Sequence, residues 1–239
     1  MTAMEGQIPG SPSSALASPE RASSLRDAAS LTKWVKLMLS CWMGVMLIAF
    51  ASHWALLHFL KEVQQGVYSS RAAAIRDAAV LDGITRLVSI GHLALFLLTA
   101  ILFLRWVHRA SENARRLGAV DMEFTPGWTI GGYFVPIGNL AIPYLVVKEI
   151  WNASASPTDW RSLRGHPIVR WWWGLFLAWS VVGWVALIAS SLGQGSVAAS
   201  ILVAELRLVF DASAIPAGVA ALLLVTRLRA IQMAHASSN

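Results

Sequence analysis

Hydropathy divides this sequence into four long apolar runs and a fifth that is interrupted. The uninterrupted runs cover about 34–60, 87–107, 171–192 and 206–226. Each is close to the roughly 17–25 residues that a tilted helix needs to cross about 30 Å of hydrocarbon. The pattern predicts an all-α polytopic membrane bundle of four transmembrane helices. The stretch 128–147 is built differently: it carries no charge, yet Gly131, Gly132, Pro136, Gly138, Asn139 and Pro143 break it up. Proline removes a backbone donor and disfavours helix in the residue before it. Backbone broken at membrane depth must be buried in protein or line a wet cavity, because lipid offers it no hydrogen-bond partner. A Pro/Gly-broken re-entrant or interfacial segment is therefore expected here, and it is the leading functional element.

Composition supports this class. Hydrophobic residues make up 56% of the chain and charged residues 13%, against roughly 25% charge in soluble domains. The net charge of +6 does not point to nucleic acid, since the basic residues flank apolar runs as they do in cytoplasmic loops. Residues 1–33 are rich in Ser, Ala and Pro without periodicity and read as a disordered cytoplasmic tail; 233–239 reads as a short C-terminal tail. The first apolar run is too long for the core of a signal peptide. A single cysteine, Cys41, allows no disulfide within one chain.

Fourteen of the nineteen basic residues lie before or just inside the start of the first run, from the end of the second to the start of the third, or after the fourth. The excess of Lys and Arg on one side predicts both termini and the 105–170 region in the cytoplasm, as for a bacterial inner-membrane protein. Trp34, Trp106 and Trp171–Trp173 fall at that same face as candidate interfacial anchors. Were the broken segment a fifth span, the clusters at 105–116 and 161–170 would lie on opposite sides, so a segment that enters and leaves from one face is preferred. The loop 61–86 mixes charges and alanines and is read as an outer connection with room for a short helix.

Within the 105–154 module, Trp106, Arg109 and Asn113 have the spacing of one helical face. Leu117–Gly118 reads as a helix end closed by glycine. Phe124-Thr125-Pro126-Gly127-Trp128 reads as a turn, with Pro126 able to start a helix. Arg109, Asn113, Trp128, Asn139 and Glu149 form the candidate polar cluster, either binding a ligand or simply capping and packing; Arg109, Asn113 and Asn139 are donors for carbonyls freed by the prolines. Asp211 stands inside the fourth run, and intramembrane carboxylates usually face the bundle interior or a cavity. Its local partner would be Arg207 one turn earlier; the other reading is an ion or proton site, with Pro216 kinking the helix towards it. His53, His58 and His92 lack the convergence of a metal site and are expected to meet backbone carbonyls. No nucleophile elbow, zinc motif or phosphate loop is present, so neither catalytic residues nor a cofactor are assigned and no enzyme is expected.

Taken together, Trp106, Arg109, Asn113, Leu117 and Gly118, then Phe124, Pro126, Gly127 and Trp128, then Phe134, Pro136, Asn139, Leu140 and Pro143, then Glu149, Trp151, Ala153 and Ser154 resemble a bacterial membrane family, domain of unknown function 4328. The resemblance covers roughly 85–232, with Val225-Thr226-Arg227-Leu228 and Gln232 also fitting. It implies a multi-pass membrane protein and no known activity. One departure is Gly132, where a second bulky aromatic would be expected before Tyr133. Two functions stay open: a binding, sensory or scaffold protein whose cytoplasmic-face module meets a lipid headgroup, small ligand or partner, and a small homo-oligomeric transporter or channel using the broken segment and Asp211.

Overall fold

The computed structural model describes residues 17–68, 70–192 and 195–238. Its helices are α1 (Ala17–Gln64), α2 (Arg71–Arg116), α3 (Trp128–Gly131), α4 (Ile142–Ala155), α5 (Pro167–Leu192) and α6 (Val197–Ser238), with short 3-10 turns at Gly138–Leu140 and Trp160–Ser162. Among the described residues there is no strand, and four helices, α1, α2, α5 and α6, are long and apolar enough to cross a membrane. The expected all-helical, four-span class is the one observed, and the chain is a membrane protein by this measure.

Helix boundaries run well past the apolar runs. α1 begins at Ala17, so residues 17–33 of the expected disordered tail are helical; residues 1–16 lie outside the described residues. Residues 71–86, read as outer connection, are the start of α2 itself. Ser70 caps it, its hydroxyl accepting the Ala73 N–H at 3.2 Å. α6 likewise takes in the expected C-terminal tail up to Ser238 and continues through Pro216. Hydropathy marks only the lipid-matched part of a helix. Ala, Leu, Arg and Glu propagate helix through water as well.

The four long helices form two hairpins, α1–α2 and α5–α6, joined along an α1–α6 seam. Half of the apolar stretch of α6 is buried, against 6% for α2 and 11% for α5. α6 is thus the inner axis, and α2 and α5 are peripheral. With lipid as solvent, helices associate by close packing of small residues, and α6 supplies Ala204, Ala214, Ala217, Ala220 and Ala221, all buried. Gly183 of α5 lets the Phe210 ring approach: a Cβ there would lie 2.8 Å from Phe210 Cε2. α2 and α5 meet mainly through rings, Phe96 with Trp179 at 5.5 Å and Phe103 with Trp172 at 5.7 Å, and leave an apolar cleft between them.

Residues 117–166 fold over the end of the bundle where α2 stops and α5 starts, forming a cap. The largest buried cluster lies beneath it, from Val35 of α1 through Val107 of α2 and Val146 and Ile150 of α4 to Leu224 and Leu228 of α6. Trp106, Trp172 and Trp173 belong to this core rather than to an interfacial belt, and Trp106 Nε1 donates to Thr32 Oγ1 at 3.2 Å. Only Trp34 and Trp171 of the expected anchors are exposed.

Overfilling the α5–α6 contact costs about 1–3 kcal/mol, so Gly183→Leu is expected to lower the thermal midpoint of the purified protein, read by circular dichroism. Gly174→Ala, with nothing within 4 Å of the added carbon, is expected to leave the midpoint unchanged or raise it, because alanine is the better helix former by about 1 kcal/mol.

Candidate functional site

The cap starts from a defined helix end. At the C-terminus of α2 the Gly118 N–H reaches Arg115 O at 3.0 Å and the Ala119 N–H reaches Ala114 O at 3.2 Å, with Gly118 at φ 103°. This is the glycine-closed double bond that satisfies the last helical carbonyls, at the position the sequence marks. The chain then turns through Asp121, whose φ is 53°. Arg161 holds that carbonyl at 2.7 Å, and Trp160 Nε1 holds Val120 O at 3.1 Å.

Glu149 is the anchor of this turn. The carboxylate of this buried α4 residue accepts the backbone N–H groups of Glu123 and Phe124, the second at 3.2 Å. Arg115 takes Phe124 O at 2.6 Å. Burial pushes the Glu149 carboxyl above its ordinary value of 4.5, while the two N–H donors pull it down. One turn along α4, Asn152 Nδ2 donates to Leu163 O at 2.8 Å.

A second knot ties α2, α4 and α6 inside the core. Gln232 Nε2 donates to Ala110 O at 2.9 Å and to Ser154 Oγ at 3.0 Å, and Gln232 Oε1 receives Asn113 Nδ2 at 3.3 Å. All three side chains are buried. Most buried polar groups in native proteins are satisfied, and here each helix supplies what another lacks.

The broken segment obeys the same rule. Pro126 O accepts Thr129 Oγ1 at 2.5 Å and lies 2.9 Å from His108 Nδ1, while Leu140 O accepts Trp173 Nε1 at 2.8 Å. These carbonyls are met by His108, Thr129 and Trp173; of the donors the sequence suggested, Asn113 donates to Gln232 and Arg109 to Glu112. Pro126 sits in the turn ahead of α3, which is preceded by Gly127, and does not start the helix. Beyond α3 the chain reverses at Ile137, which has φ 63° and is bracketed by a Gly138 N–H to Pro136 O bond of 2.6 Å. A positive φ is strained for a β-branched residue. Phe134, Ile137 and Leu140 around this tip are exposed, Ile137 most of all. Gly132 is buried, and a Cβ there would run into the Ile142 side chain, which explains the absence of a bulky residue.

The candidate polar cluster therefore falls in separate places. Asn113 lies in the Gln232 knot and Glu149 under the cap turn. Arg109 is half-buried and donates to Glu112 at 2.9 Å, Trp128 is half-exposed at the start of α3, and Asn139 is exposed. Reading the sequence passed over Trp160 and took Trp173 for an interfacial anchor, whereas their indole donors serve carbonyls 40 and 33 residues away. Their only local signal was tryptophan beside a broken stretch. A groove of about 300 Å³ opens on the cap, lined by Glu123, Lys148, Glu149, Asn152, Trp160 and Arg161 among others. Lys148 makes no hydrogen bond or ion pair among the described residues, and its stem lies against Gly165.

Asp211 does not pair with Arg207. Its Oδ2 lies 2.6 Å from His53 Nδ1 of α1, with both residues buried. The acid faces the α1–α6 seam, whereas Arg207 is half-exposed one turn nearer the hairpin end. His53 thus meets a carboxylate instead of a backbone carbonyl, and His58 lies exposed, 3.4 Å from Glu62. No group of three or more potential metal ligands converges among the described residues.

Removing one member of a buried pair leaves an uncompensated group and costs about 3–5 kcal/mol. Asp211→Leu alone is expected to destabilise the protein by that order in a denaturation series, and His53→Leu combined with it to recover most of the loss. Glu149→Ala orphans two N–H donors at about 1–3 kcal/mol each. Because the folded carboxyl titrates above 4.5, its stabilising contribution is complete below that pH and declines as pH rises through the shifted value. The stability advantage of the wild type over Glu149→Gln should therefore shrink with rising pH across that window; an advantage that grows would contradict the assigned direction.

No match to the chain was found among the curated proteins or the solved structures. The family model described as Domain of unknown function (DUF4328) matches residues 69–230, which is more than half of the chain, and the protein belongs to that family.

Proposed function

We propose that this is a bacterial inner-membrane binding protein rather than an enzyme, with both termini in the cytoplasm and the cap as its working surface. The occupant proposed for the cap groove is an anionic lipid headgroup. The observation carrying this reading is the groove itself, which offers the unpaired Lys148 and the Arg161 guanidinium beside internal ties that already occupy Glu149. Arg164 and Arg170 follow in the same connection to α5, and Lys and Arg near a membrane surface each attract anionic lipid by about 1 kcal/mol.

The broken segment is proposed to re-enter from the cytoplasmic face. Three facts support this. α2 ends and α5 begins on the side of the bundle that the cap covers. α4, at 14 residues, spans only about 21 Å at 1.5 Å per residue. The exposed Phe134, Ile137 and Leu140 suit the acyl layer better than water. The transporter reading has less to stand on, because neither the cap groove nor the apolar cleft contains Asp211 or Asn139.

Native mass spectrometry of the protein with mixed phosphatidylglycerol and phosphatidylcholine tests the headgroup reading. Wild type is expected to retain the anionic lipid preferentially, and Lys148→Ala with Arg161→Ala to lose about an order of magnitude of that preference. An unchanged preference in the double variant overturns it.

A further inference from the structure

A groove of about 610 Å³ lies between α1, α2 and α3 and shares no lining residue with the cap groove. Its long wall is one face of α2, where Leu102, Arg105, Arg109 and Glu112 line it at the three- and four-residue spacing of neighbours on a helix. α2 carries no Lys, Arg, Asp or Glu from Leu87 to Leu104, so Arg105 is the first charge after the apolar stretch. Across the groove stands Trp34 of α1, 54% exposed and just ahead of the stretch 37–60, which is equally free of charge. The bond from Trp106 Nε1 to Thr32 Oγ1 brings the two helices level there. An exposed tryptophan beside a basic residue, both at the end of an apolar stretch, is the pattern of a membrane–water boundary.

The charges along this wall are ordered. Arg105 is exposed and makes no hydrogen bond or ion pair among the described residues. Arg109, about 6 Å further along the axis, donates to Glu112 at 2.9 Å. Glu112, about 4.5 Å beyond that, is half-buried and also lies 3.7 Å from His108 Nε2. From the apolar stretch outward the wall thus offers hydrocarbon, cation, cation and carboxylate. A phospholipid with an aminoalkyl headgroup has the complementary order: acyl chain, phosphate, ammonium. A carboxylate has about four acceptor sites, so Glu112 can take a second donor while keeping Arg109. An anionic headgroup brings no cation to Glu112, and a quaternary ammonium brings no N–H. The cap groove differs in this respect, because its Glu149 is occupied by backbone N–H groups.

We propose that the groove between α1, α2 and α3 seats a phospholipid whose headgroup ends in a primary ammonium. The phosphate lies on Arg105, the ammonium donates to Glu112, and an acyl chain descends past Leu102.

The test is native mass spectrometry of the full chain with equimolar dioleoyl phosphatidylethanolamine, phosphatidylcholine and phosphatidylglycerol. It is run in a Lys148→Ala, Arg161→Ala background, which removes the cations of the cap groove. Phosphatidylethanolamine is expected to be retained about fivefold over phosphatidylcholine, as one net hydrogen bond allows. Arg105→Ala is expected to lower retention of both zwitterionic lipids. Glu112→Gln is expected to bring the ethanolamine-to-choline ratio within about twofold of unity and to raise retention of phosphatidylglycerol. Lys36→Ala is the control, an exposed cation of α1 that does not line the groove, and should change nothing. Equal retention of ethanolamine and choline lipids in the background protein overturns recognition of the ammonium. A preference for phosphatidylglycerol there overturns the mixed-charge class in favour of an anionic headgroup. Losses in Lys36→Ala as large as in Arg105→Ala overturn the groove as the seat. Displacement of the lipid by water-soluble phosphoethanolamine overturns the bilayer as the source. The cap-groove reading is scored separately, by phosphatidylglycerol retention without these substitutions, so either can fail alone.

Discussion

The cap depends on a carboxylate placed where two backbone amides have no other partner. Glu149 receives the N–H groups of Glu123 and Phe124, and with them fixes where the chain goes after α2 ends. Everything that follows hangs from that turn. Arg115 and Arg161 take carbonyls on either side of it, Trp160 donates to the Val120 carbonyl beside it, and α4 is held against α2 and α6 by the Gln232 knot. Where a chain leaves helix, side chains must meet the backbone groups that the helix would have paired. In the cap, carbonyls at Val120, Asp121, Phe124, Pro126 and Leu140 are met by indole, guanidinium, imidazole and hydroxyl donors.

α6 unites the two levels of the molecule. Towards the hairpins it offers Asp211 to His53 of α1, and under the cap it offers Gln232 to Asn113 of α2 and Ser154 of α4. Between them lies a stripe of alanines that lets neighbours approach closely. Van der Waals packing gives this axis its affinity for other helices, and the two polar contacts give it register, since sliding α6 by one turn would strand both. The aromatic cleft follows from the same division of labour. α6 keeps its face small, and the rings of α2 and α5 fill only part of the space left over.

Much of this was legible in the sequence, for local reasons. Lipid-crossing helices must be apolar for a fixed length, so four of them show plainly. Glycine and proline cannot hide a broken helix, and Gly118 marked the end of α2 to the residue. The helical extensions at 71–86 and beyond 226 were not legible from hydropathy, because a polar helix in water is invisible to it. Partnerships across the fold were less visible still. His53 and Asp211 are 158 residues apart, and Asn113 and Gln232 are 119 apart. Arg207 looked the better partner for Asp211 only because proximity along one helix can be counted and proximity between helices cannot. Of the five polar candidates, Asn113 and Glu149 turned inward as ties; the sequence could show that they were polar in an apolar region, but not which way they faced.

α2 is continuous from Ser70, its capping residue, to the glycine turn at its other end, and its 46 residues amount to a rod of roughly 69 Å at 1.5 Å per residue. One end carries the Tyr68–Asp77 contact of the α1–α2 hairpin, and the other carries Trp106 and Asn113 within the core beneath the cap. A rod of that length works as a lever. A tilt of a few degrees imposed at the hairpin displaces its far end by several ångströms, about the width of the bonds that hold Asn113 to Gln232. The two ends of the bundle are thus joined by one unbroken helix, with no turn between the hairpin and the cap.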